Sequence, residues 1–239
     1  CEEIFNVEDS TITFLQDVLT EVLELFPSKF IHIGGDEVNK GPWKNDPRAQ
    51  ARIKALGLQN EEELQSWYIK QMDAFLAERG RRLVGWDEIL EGGLAPGATV
   101  MSWRGEAGGI AAANAGHDVV MTPGSHMYFD HYQGAPETEP FAIGGFTSVE
   151  KVYGYEPIPA AIEADKAKHV LGAQAQIWTE YILNSDHVEY MAYPRACALA
   201  EVDWTPVDQK NYDAFKARLA DHVKRLEILN VNFRPLDKP

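Results

Sequence analysis

Between residues 10 and 26 the apolar side chains Phe14, Leu15, Val18, Leu19, Val22, Leu23 and Phe26 recur at helical spacing. Such a stripe predicts an amphipathic helix. Asp9 or Ser10 can cap its start, and Pro27 ends it. The period then changes: residues 30–34 form a short apolar run bounded by turn residues, the pattern of a buried strand. A polar stretch over 38–60 reads as a loop, and a second amphipathic helix over 61–79 ends at Gly80. Runs at 82–86, 98–103 and 118–122 predict further strands, with an alanine-rich helix at 106–115 stopped by Gly116. A loop rich in Pro, Gly and Tyr covers 123–158. A short helix then leads to a strand over 169–178, and two helices finish the chain.

Strands that alternate with helices imply a parallel sheet with crossover connections. The Gly-x-Gly-x-x-Gly fingerprint of a dinucleotide fold is absent after the first strand. Polar and aromatic residues stand instead at the carboxyl end of nearly every strand, the pattern of a (β/α)8 TIM barrel. Five strands are countable where a barrel has eight, so the expected fold is a barrel incomplete at the N-terminus. With no linker in view, residues 1–239 read as one barrel-domain segment without an internal boundary.

Composition narrows the chemistry. A formal charge of -15 argues against nucleic acid or an anionic membrane surface, since phosphate binding needs clustered Lys and Arg. At 45% hydrophobic and 25% charged the composition is ordinary for a globular chain. No run approaches a membrane span. Cys1 and Cys197 are too few for a disulfide framework or a thiolate metal site, and Cys197 reads as a small buried hydrophobe. The chain opens on Cys1 rather than Met, which points to a start upstream.

The candidate chemistry begins at Gly34-Gly35-Asp36-Glu37. Two glycines admit backbone conformations closed to other residues and allow close approach of a ligand. They place two adjacent carboxylates at the end of a strand, where α/β folds build their sites. Helix capping by the same acids is the plain alternative. Trp43, Trp86, Trp103, Trp178 and Trp204 lie near predicted strand ends or loops, and point to a pocket for something flat and partly polar. Core packing is their alternative role. His32 reads as a satisfied core histidine, and Asp87 and Glu88 suit a helix start as well as a site.

Taken together, His32–Val38, Trp86-Asp87-Glu88, Met101–Gly105, Tyr128-Phe129-Asp130, Ile177–Glu180, Tyr193-Pro194-Arg195 and Ala200–Trp204 resemble glycoside hydrolase family 20, the β-N-acetylhexosaminidases. The resemblance implies a retaining exo-glycosidase that removes terminal β-linked N-acetylglucosamine or N-acetylgalactosamine. In this family the substrate's own acetamido oxygen attacks the anomeric carbon, giving an oxazolinium-type intermediate. Neighbouring Cα atoms lie about 3.8 Å apart, so two touching acids act as one unit and cannot flank a sugar from opposite faces.

By that resemblance Glu37 matches the general acid/base and Asp36 the residue that orients the acetamido N–H. Tyr128 matches the tyrosine that aims the acetamido oxygen. Asp130 and Glu180 match acceptors of sugar hydroxyls, Trp178 the platform under the ring, and Trp86 and Trp103 the acetamido walls. Arg195, Glu201 and Trp204 read as structural. The resemblance implies no cofactor and no metal, N-acetylhexosamine-terminated glycans or chitooligosaccharides as partners, and a secreted, periplasmic or lysosome-like compartment.

The family's first-strand arginine and its early Asp and His have no counterpart here. The expectation is therefore a fragment of a longer protein, or a homodimer in which a partner supplies the missing half. An open sheet of this kind exposes edges, so an isolated segment should be poorly soluble, dimeric or inactive. Two rival readings stand beside hydrolysis: a sugar-binding barrel fragment impaired in catalysis, and a divalent-cation site on Asp36 and Glu37, disfavoured by the scarcity of spaced His or Cys ligands.

Overall fold

The computed structural model describes residues 4–238, so Cys1 lies outside the described residues. Five short strands alternate with helices along the chain, and two compact units can be distinguished. The first takes in the chain up to Ser102 together with Gly108–Val119; the second holds Trp103–Ala107 and the chain from Val120 onward.

In the first unit, helix α1 (Asp9–Leu25) follows the apolar stripe. Neither Asp9 nor Ser10 caps it. Asn6 Oδ1 holds the start instead, accepting from the Glu8 backbone N–H (3.0 Å) and the Thr11 hydroxyl (2.6 Å). Only Ile12 of this helix is buried, while Phe14, Val18 and Leu25 stand exposed.

The polar stretch 38–60 proves to be largely helical: α2 (Gly41–Asn45) and α3 (Pro47–Leu56) occupy it. Pro42 and Pro47 sit in first turns, where a missing N–H goes unfelt. Asp46 caps α3 by accepting from the Arg48 backbone N–H at 3.1 Å, and Gly57 ends it in the left-handed region. Trp43, Ala49 and Ile53 pack there with Val7 and Leu64. So few apolar positions among so many charges carry no readable helical period, which is why the pattern resembles a loop.

Helix α4 (Glu61–Glu78) begins at Asn60, whose side chain accepts from the Glu63 N–H at 2.9 Å. Strands β1 (Phe30–His32), β2 (Arg82–Trp86) and β3 (Thr99–Ser102) pair in parallel, with Ile31 opposite Leu83 and Val84 opposite Thr99. Helix α5 (Ala107–Asn114) leads to β4 (Val119–Met121), and the Val100 N–H bonds the Asp118 carbonyl beside it at 3.0 Å.

In the second unit, β5 (Val170–Ala173) is shorter than the predicted 169–178. Beyond it the chain continues as single bonds: Gln174 N–H to Met121 O (3.0 Å) and Gln176 N–H to Met127 O (2.8 Å). Trp178 and Glu180 therefore stand past the strand rather than at its end. The loop 123–158 contains α6 (Val149–Tyr153), capped by Ser148. Three helices follow β5 where two were expected: α7 (Ser185–Ala192), α8 (Arg195–Trp204) and α9 (Tyr212–Ile228). Pro194, which has no N–H to donate, separates α7 from α8. Phe129, Val152, Tyr153, Ala198, Phe215 and Leu219 form the core of this unit.

Candidate active site

The first unit builds a tight turn at the end of β1. Gly34 and Gly35 have φ of +77° and +100°, and Glu37, with a full side chain, has φ of +50°. A Cβ on Gly35 would lie 2.7 Å from Ile89 Cγ2, so glycine is required twice over, by conformation and by space. Gly34 lends its carbonyl to the Trp86 N–H at 3.0 Å. On the β2 side, a Cβ on Gly85 would stand 3.0 Å from that same oxygen. Gln65 of α4 donates from Nε2 to the Gly35 carbonyl at 3.0 Å. Asp36 is half-buried and Glu37 exposed.

His32 is not a core histidine: its side chain is exposed. Its Nδ1 accepts the Gly34 N–H at 3.0 Å, and its ring lies 4.7 Å from the Trp86 ring. Loss of hydration against its neighbours holds its pKa below the usual value, opposed by the pull of Asp36. An Nδ1 that accepts from the backbone agrees with a neutral ring. Beside the turn lies a mostly apolar cavity of about 290 Å³, lined in part by His32, Gly35, Val38, Gln65 and Tyr68. Gln65 Oε1 and the Tyr68 hydroxyl are buried with no hydrogen-bond partner among the described residues, and burial pushes the Tyr68 phenol up to about 12.

The second unit holds the other candidates. Trp103 and Tyr128 stack with ring centres 6.3 Å apart, and Tyr128 lies 5.5 Å from the His131 ring. A parallel bridge fixes Tyr128 opposite Gln176, with Phe129 N–H bonded to Gln176 O at 2.7 Å. Asp130, Trp178 and Glu180 line one narrow crevice, too tight to hold a water molecule, together with Phe141, Tyr181 and Met191. Trp178 is 40% exposed and Glu180 is open to solvent, whereas Asp130 is only 6% exposed. Burial raises the Asp130 pKa; its own backbone N–H and Arg195 lower it, and Glu180 raises it. Asp130 Oδ1 is buried without a hydrogen-bond partner among the described residues.

Each unit thus gathers its own share of the predicted residues: Asp36, Glu37 and Trp86 around the glycine turn, and Trp103 with Tyr128, and Asp130 with Trp178 and Glu180, in the second. Two tryptophans fall outside. Trp43 is 4% exposed, packed in the core with Nε1 donating to Phe5 O at 2.8 Å, and Trp204, at the end of α8, is 88% exposed. Asp87 and Glu88 open a short 3-10 turn after β2 and are buried there. Sequence reasoning missed Gln65, although a Gln-Ser pair among the apolar positions of α4 was a visible anomaly. It also passed over Phe141 and Tyr181, which no pattern marks. Among the described residues no group of three or more His, Cys, Asp or Glu is placed to hold a metal ion, and no helix is long and apolar enough to cross a membrane.

Known proteins are similar to this chain. The family model described as glycosyl hydrolase family 20, catalytic domain, matches residues 1–207. A beta-hexosaminidase of Porphyromonas gingivalis is 53% identical over 227 residues, which cover 95% of this chain and 29% of that protein. One from Vibrio furnissii is 41% identical over 193 residues, 80% of this chain and 32% of its own length. The solved exo beta-N-acetylglucosaminidase of Vibrio harveyi, in complex with N-acetylglucosamine, superposes with a TM-score of 0.83 at 32% identity, over 95% of this chain and 36% of that one. The chain spans about a third of the length of these relatives. Its strands and helices are those of part of a (β/α)8 barrel. The motifs met along the sequence, the turn that presents Asp36 and Glu37, and these likenesses converge on one conclusion: the chain belongs to glycosyl hydrolase family 20.

Proposed function

We propose that this chain carries the catalytic acids of a retaining glycosidase that removes terminal β-linked N-acetylglucosamine or N-acetylgalactosamine from glycans or chitooligosaccharides. The observation that carries the reading is Glu37, a non-glycine residue held at φ of +50° directly after two glycines and an aspartate. A residue in that region costs about 1–3 kcal/mol, and such strain collects at functional sites.

In the first step the acetamido oxygen bonds to the anomeric carbon while the glycosidic C–O bond breaks, and Glu37 gives its proton to the departing oxygen. Asp36 accepts from the acetamido N–H and steadies the positive charge that develops on the amide. In the second step Glu37, now a carboxylate, takes a proton from water, whose oxygen attacks the anomeric carbon and reopens the ring with retained configuration. Trp86 fits a wall of the acetamido pocket. In the second unit, Tyr128 donates to the acetamido oxygen and Trp103 stacks beside Tyr128. Asp130 and Glu180 accept from sugar hydroxyls, and the exposed face of Trp178 carries the ring.

Release of nitrophenol from the β-N-acetylglucosaminide tests this. Glu37→Gln should reduce kcat by about 10²-fold or more and Asp36→Asn should weaken it strongly; normal rates in both variants would refute the assignment. Calorimetric binding of N-acetylglucosamine by the unmodified chain without turnover would favour the sugar-binding reading instead.

A further inference from the structure

Arg195 is the largest fully buried side chain, with 0% exposure, and it lies on the helix behind the Tyr128–Asp130 segment. A guanidinium has five N–H donors. Here every one meets a backbone carbonyl: Nε donates to Met191 O at 3.1 Å, and one terminal nitrogen to His131 O and Thr147 O, both at 3.0 Å. The other terminal nitrogen donates to Met191 O at 2.6 Å and to Phe129 O. The plane of the group also lies over the Phe129 ring, 4.8 Å from its centre. Phe129 and His131 bracket Asp130, so both flanks of that residue hang on one cation.

The fork is therefore saturated by carbonyls, and Asp130 receives none of its N–H groups although it lies within the field of the charge. The usual fate of a carboxylate near arginine is a bidentate pair that occupies both oxygens. Here Asp130 Oδ1 stays buried without a hydrogen-bond partner among the described residues, and the residue lines a narrow crevice with Trp178 and Glu180.

We infer that Arg195 is a positioning residue for substrate: by giving all its donors to carbonyls on both sides of Asp130, it holds that carboxylate fixed in place and leaves it to accept from a ligand hydroxyl. The inference rests on the functional reading above and extends it to a residue that touches no sugar. Burial pulls the Arg195 guanidinium down to about 9, so it remains charged at neutral pH. Its field opposes the upward push of burial and of Glu180 on Asp130. The other groups facing this cluster are Glu139, Arg234 and Tyr190 around Arg195, and His131 with Lys151 beside it.

Arg195→Lys retains charge and loses the fork; Arg195→Gln loses both. Each should raise KM for the nitrophenyl N-acetylglucosaminide about tenfold or more with a smaller change in kcat. Only Arg195→Gln should move the acid limb of kcat/KM to higher pH, and in an Asp130→Asn background that movement should vanish. Folded variants with the KM and pH profile of the parent would overturn the inference, as would an acid-limb shift that persists with Asn at 130. A measurement on the unmutated chain needs no substitution: the carboxyl carbon signal of Asp130 in NMR should respond to N-acetylglucosamine. If other signals report binding and that one stays fixed, the inference falls alone. If the unmutated chain neither binds nor hydrolyses, the functional reading falls and takes the inference with it.

Discussion

The two units hold their carboxylates by opposite means. In the first, Asp36 and Glu37 are placed by backbone: two glycines with positive φ, a carbonyl passed to β2, and a Cβ-free contact with Ile89. In the second, Asp130 is placed by a side chain distant in sequence, the buried Arg195, which ties together carbonyls of residues 129, 131, 147 and 191. A backbone device tolerates no added atom. A guanidinium device tolerates no lost donor, because each buried carbonyl released from it goes unpaired.

That contrast can be broken at three points. Replacing Arg195 with Met leaves four carbonyls without their donor, at about 1–3 kcal/mol each. The second unit should lose on the order of 4 kcal/mol or more in chemical denaturation, and a loss under about 1 kcal/mol would mean that the fork is not what holds the segment. Gly35→Ala should come next. Its Cβ would meet Ile89 at 2.7 Å in a left-handed conformation, for about 2–4 kcal/mol of combined crowding and strain. An alanine variant as stable as the parent would show that the turn relaxes freely.

The smallest effect concerns His32. Its neutral ring accepts the Gly34 N–H, and its pKa in the fold lies below the ordinary value. The neutral form is thus favoured by folding: its contribution is complete above the unfolded value of about 6.5 and is lost as pH falls through the lower folded one. Denaturation midpoints taken at about pH 7.5 and about pH 5 should differ more in the parent than in His32→Asn. Equal differences would remove His32 from the support of the turn.

Much of this was legible beforehand. The amphipathic period of α1 and α4, the apolar run of β2 and the glycine stops at 80 and 116 locate elements to within a few residues, because local pattern and chain stereochemistry suffice there. The Gly34-Gly35-Asp36-Glu37 turn announced itself for the same reason: it is local, and only glycine fits it. Helices α2 and α3 did not, since their burial depends on a few apolar side chains meeting Val7 and Leu64 from elsewhere in the chain.

The tryptophans divide in the same way. Composition marked Trp43, Trp178 and Trp204 alike, yet packing buries the first, leaves the second half open beside Asp130, and sets the third on the surface. The sequence by itself determined the alternation of strand and helix, the family and the adjacent pair of acids, all of which are written in near neighbours. Only the tertiary structure decided that Arg195 gives its donors to backbone carbonyls and leaves Asp130 with an oxygen unbonded among the described residues. Those bonds span up to 66 residues of chain, and no periodicity encodes a contact at that separation.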